Sequence, residues 1–135
     1  MNFIGGDLTE IVCQHPTLGE FRVSPKSNES YTLDPGGVRN NDDANQTTSS
    51  GQMIQQKNRV RWGFEGPVAV DFINDTEIPA LTALSASPDL GNWTFTLISG
   101  TIYKGLGIPV GDIAPDTNTA MVSIKIAGSG ELEKI

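Results

Sequence analysis

Apolar and polar residues alternate in short runs along most of this chain, with the spacing of β-strands. Leu8-Thr9-Glu10-Ile11-Val12-Cys13 has strand character, and in Glu20-Phe21-Arg22-Val23 the two apolar residues share one parity with polar partners between. Pro16-Thr17-Leu18-Gly19 lies between them as turn chemistry, so the two runs predict an antiparallel hairpin. Tyr31-Thr32-Leu33 is a further short strand, closed by the breaker Asp34-Pro35-Gly36-Gly37. Val60, Trp62 and Phe64 alternate with Arg61 and Gly63, and Val68-Ala69-Val70-Asp71-Phe72 alternates in the same way. Gly66-Pro67 predicts a separation between those two strands. Trp93-Thr94-Phe95-Thr96-Leu97 and Gly100 to Gly105 predict two more, with a turn around Ser99-Gly100. In the last strand, Ala120 to Ile126, the side chains of Val122, Ile124 and Ile126 share one face; Gly128 and Gly130 are expected to end it.

One segment breaks the period of two. Asn74-Asp75-Thr76-Glu77 offers N-cap chemistry with Glu77 placed as in a capping box, and Ile78, Leu81 and Leu84 follow at helical spacing. Pro79 is tolerable only in a first turn and Pro88 stops the helix, which predicts one short helix over about 75–87 packed on the sheet. The whole pattern therefore predicts a mainly β domain with one flanking helix. Trp62 and Trp93 sit on alternating apolar faces and are expected in the core.

A second segment has almost no apolar pattern. From Val38 to Lys57 the chain reads as a flexible polar loop that cannot hold itself together, either a mobile flap or an arm ordered by a neighbouring molecule. For a protein that assembles, the arm is the preferred reading. Asn40 and Asp42 are then candidate inter-subunit contacts. Lys57, Arg59 and Arg61 alternate, so on a strand their charges share one face, either to meet an acidic partner or as an ordinary solvated surface.

With 135 residues the chain is the size of one domain, and its 15 Gly and 8 Pro suit short strands joined by turns. A formal net charge of −7 argues against electrostatic capture of nucleic acid or an anionic membrane. The charge is uneven. Through Arg61 there are seven acidic and six basic residues, and after it nine acidic and three basic. The stretch from Met1 to Leu8 has no basic segment and no sustained apolar run, so neither a secretory signal nor a membrane span is expected, and the protein is expected to remain in a cytoplasm.

Catalytic chemistry is hard to assemble from these residues. Cys13 is the single cysteine and reads as a buried structural thiol; His15 is the single histidine, in a turn before Pro16. A Cys13/His15 pair shares one strand face but has no third partner, and no zinc spacing or Gly-x-Ser-x-Gly elbow is present. Gly105 to Gly111 is Gly-x-Gly-x-x-x-Gly without a following helix, so it fails the dinucleotide fingerprint and reads as a connection between strands. Asn41, Asp42, Asp43 and Asn45 offer oxygen ligands but lack the calcium-loop ladder. No enzyme, cofactor or metal is expected.

The order of motifs in the last third carries a resemblance. Thr94 to Asp112 joins a strand to a Gly-rich stretch; Asp116-Thr117-Asn118-Thr119-Ala120 is a polar turn, and the chain ends in Ala127-Gly128-Ser129-Gly130-Glu131-Leu132-Glu133. This resembles the C-terminal part of bacteriophage tail tube proteins, contractile-tailed phages among them, whereas the N-terminal half matches only in style. The resemblance implies two packed antiparallel sheets, sandwich or barrel-like, with one short helix. It implies six subunits closing into a ring through sheet edges, and rings stacking into a hollow tube in a virion assembled in the host cytoplasm. Tail sheath, baseplate and tail terminator proteins are the implied partners, and genomic DNA passes without specific binding. Asp112 and Asp116 become candidates for the lumen wall. A related contractile-injection or type VI secretion tube protein and a monomeric β-sandwich ligand-binding module are the alternatives.

Overall fold

In the computed structural model, which describes residues 2–135, most of the alternating runs form strands of a single large sheet, but the one expected from Val60 to Phe64 is interrupted at Arg61-Trp62, which belong to no strand. Met1, at the head of the segment read above for a secretory signal, lies outside the described residues. The strands are β1 Leu8–His15, β2 Gly19–Val23, β3 Thr32–Asp34, β4 Gly37–Asn40, β5 Gln46–Thr47, β6 Met53–Ile54, β7 Lys57–Val60, β8 Gly63–Ala69, β9 Gly91–Leu97, β10 Ile102–Val110 and β11 Met121–Lys134; the α-helix α1 is Glu77–Ala86. Seven strands lie in the order β2-β1-β9-β10-β11-β8-β3, and every pairing is antiparallel.

The sheet closes on itself. Ala69 N–H donates to the Ser24 carbonyl (2.8 Å) and Pro25 pairs with Val68, so the chain leaving β2 at one edge bonds β8 near the other. Tyr31 secures the seam: its hydroxyl accepts from Lys26 N–H (2.7 Å) and donates to the Pro67 carbonyl. The expected mainly β, barrel-like architecture is thus what the chain forms, its two packed layers being halves of one curled sheet. The core is Ile11, Cys13, Val23, Phe64, Val68, Phe95, Val122, Ile124 and Ile126, together with Trp62 and Trp93, both at 0% exposure. Leu81 and Leu84 of α1 join it from one barrel end. Pro79 falls in the first helical turn and the extended Ser87 before Pro88 ends the helix, but the expected capping box does not form. Asn74 turns to the Asp71 carboxylate instead (2.7 Å), and Glu77 accepts from Asp71 N–H.

Two glycine readings are corrected. Gly105 to Val110 is not a connection but the body of β10, and Gly128 and Gly130 do not end the last strand, because β11 runs on through both to Lys134. The Trp62 indole lies against this part of the sheet, donating Nε1–H to the Leu106 carbonyl (2.9 Å). A Cβ on Gly105, Gly107 or Gly128 would stand 2.6, 2.7 or 2.2 Å from its ring atoms. Glycine inside a strand here marks close approach of a large ring. Likewise β8 passes unbroken through Gly66-Pro67. The Pro67 carbonyl points to the seam and accepts from Tyr31, so the missing N–H falls between the β3 pairing and the Pro25 bridge, where no ladder bond is lost.

Candidate assembly surface

The segment from Val38 to Lys57 is a folded β-hairpin arm, not a loop without structure of its own. Gly36 directs its departure: with φ at +73° and the Trp62 amide and Val60 carbonyl 2.7 Å from where a Cβ would stand, no other residue fits. β4 and β7 then pair from Gly37↔Val60 to Asn40↔Lys57, and β5 pairs with β6 beyond a short 3₁₀ turn over Asp42–Ala44. The Asn45 carboxamide knits the two tiers: it donates to Asn40 Oδ1 (2.8 Å) and Asp42 Oδ1 (3.1 Å) and accepts from Gln56 N–H (2.7 Å). At the tip, Thr48 bonds Gln52 and Gly51 through its backbone and Gln52 N–H through its hydroxyl. Backbone ladders and carboxamides hold the arm together, which is why no apolar period announces it.

Asn40 and Asp42, expected to contact a neighbour, are thus bonded within the arm through Asn45. The base is anchored as well. Arg39 clamps the Asp34 carboxylate with both terminal nitrogens, and this pairing, with the Gly36 N–H, holds Asp34 below the usual carboxylate range. By contrast Lys57, Arg59 and Arg61 are exposed and make no ion pair among the described residues. Lys57 and Arg59 share one face of the β4–β7 ladder, with Arg59 opposite Val38, itself 61% exposed. Met53 and Ile54 near the tip are exposed too. Residues 37–61 hold four basic and two acidic side chains, against five basic and fourteen acidic in the rest of the chain. A cationic arm with apolar points therefore projects from an acidic barrel, an arrangement suited to non-covalent contact with another macromolecule.

Asp112 and Asp116 lie exposed in the turn between β10 and β11, where Asp116 accepts from Asn118 N–H (2.9 Å). The turn stands at the α1 end of the barrel, opposite the arm, since β8 begins where the arm returns and ends beside β11's start. Sequence reasoning missed the role of His15. It is buried; its Nδ1 accepts from the Thr17 and Leu18 N–H groups (both 3.1 Å), and Nε2–H donates to the Asp89 carbonyl (3.2 Å). It pins the β1–β2 turn to the loop before β9. Cys13 is buried as expected, and burial pushes its thiol up to about 11. Among the described residues no group of three or more His, Cys, Asp or Glu side chains is placed to hold a metal ion, and no helix is long and apolar enough to cross a membrane. No family model and no curated protein matches this chain.

Proposed function

We propose that this chain is a structural subunit of a phage tail tube, with six copies closing a ring and rings stacking into a conduit for DNA. The observation that carries the reading is the arm. A barrel that completes its own core presents a folded hairpin with three cations unpaired among the described residues and exposed Val38, Met53 and Ile54, a surface whose value lies in contact with other copies. The acidic body suits a conduit that must not retain a polyanion, because a basic wall gains affinity for DNA through counterion release. In this reading the protein carries no catalysis and needs no cofactor. A ligand-binding module that stacks sugars on exposed tryptophan finds less support, both tryptophans being buried. Negative-stain microscopy of concentrated protein tests the proposal: rings or tubes are expected, and uniformly small featureless particles at every salt concentration would sink it.

A further inference from the structure

The antiparallel topology sorts the loops to two barrel ends. At the α1 end lie Asp71, Asp75, Glu77, Asp89, Asp112 and Asp116, and no Lys or Arg occurs in the loops or helix there, residues 70–90 and 111–120. Three of these are committed locally: Asp71 and Asp116 accept from backbone N–H groups of their own turns, and Glu77 accepts from Asp71 N–H. Asp75, Asp89 and Asp112 are exposed, and their carboxylates take part in no hydrogen bond or ion pair among the described residues. The opposite end bears the arm with Lys57, Arg59 and Arg61, which likewise have no partners among the described residues. The arm thus carries three cations without partners among the described residues, with the exposed carboxylates of Asp43, Glu131 and Glu133 at the same end, whereas the α1 end carries three such carboxylates and no cation.

We infer that the cationic face of the β4–β7 ladder docks on the acidic α1 end of a second copy, joining subunits head to tail. This rests on the assembly reading above and adds its partner surface and direction. Contact between unlike ends is heterologous, so it propagates from copy to copy, whereas a two-fold contact of the α1 end with itself would oppose like charges. It gives Asp112 a place against the next subunit, in exchange for the lumenal one the resemblance suggested. Charges at a contact rim govern encounter and register and are screened by salt, so the association should weaken steeply as salt rises.

Two charge-reversed triples test it: Lys57→Glu/Arg59→Glu/Arg61→Glu, and Asp75→Lys/Asp89→Lys/Asp112→Lys. Self-association is followed by sedimentation velocity, with wild type at low and high salt alongside. Each triple alone is expected to associate on the order of tenfold or more weakly than wild type. An equimolar mixture should regain assembly, since each reversed end then meets a complementary one, and that recovery would also show that both variants fold. Wild type that assembles while either triple does so undiminished, or a mixture that stays dissociated, overturns the head-to-tail contact alone. Wild type that is monomeric under all conditions overturns the assembly reading with it.

Discussion

At residue scale the molecule turns on where bulk is left out. The ring of Trp62 occupies the space that side chains on Gly105, Gly107 and Gly128 would fill, so Gly128→Ala is expected to cost about 3 kcal/mol or more in denaturant unfolding. Gly5→Ala, with open space around it, should stay within about 0.5 kcal/mol. The sequence displayed these glycines, but composition gives the same reading to a turn glycine and to one under an indole, so the stretch read as a connection. Tryptophan burial was legible because alternation alone places Trp62 and Trp93 inward. His15 was not, because its partners Thr17, Leu18 and Asp89 are set by the three-dimensional turn. His15→Ala should therefore destabilise the fold by about 1–3 kcal/mol, leaving two backbone donors unpaired. Cys13 adds a pH dependence of known sign. Burial raises its folded thiol from the usual 9.0 to about 11, so its contribution is intact below about 9 and is lost as pH rises toward 11. Cys13→Ala should flatten the alkaline limb of a stability-against-pH curve measured by chemical denaturation.

At the scale of elements, the β1–β2 hairpin, β9 and α1 were legible because each has its own period and its own turn chemistry. The continuity of β8 and β11 was not: Gly66-Pro67 and Gly128 punctuate a sequence, yet in the barrel Tyr31 and Trp62 use those positions. The arm is the largest departure. Its order comes from Asn45 and from ladders that an amphipathic pattern cannot announce, so proteolysis of the monomer should be confined to the tip near Ser49-Ser50 instead of spreading over 38–57. Equal cleavage along the whole segment would contradict the hairpin. Because Asn40 pairs with Lys57, replacing 41–56 by Asn-Gly should close a two-residue turn on the same ladder. The shortened protein is expected to keep its thermal midpoint within about 5 °C and to self-associate less, through loss of Met53 and Ile54. Undiminished assembly would confine the contact to the β4–β7 ladder.

For the whole molecule, barrel closure depends on a short seam, and Tyr31→Phe, which removes the bond to the Pro67 carbonyl and leaves Lys26 N–H without its acceptor, should cost about 1–3 kcal/mol. On the conduit reading, a reconstruction of any assembled particle is expected to show a channel wall of net negative charge; a positive wall would refute that reading. The pairing of β1 with β9 has a different consequence, one of timing. Leu8 faces Leu97 and Cys13 faces Trp93, so while β2 pairs with the first strand at once, its second partner is made only after some eighty residues have followed it. Loop-closure entropy must be met before that pairing is rewarded, whereas the arm needs only its own neighbours and is free to form first. The arm is therefore expected to fold before the core is sealed; on the assembly reading, a subunit would present its contact surface early, and assembly would have to outwait the slow closing of the barrel.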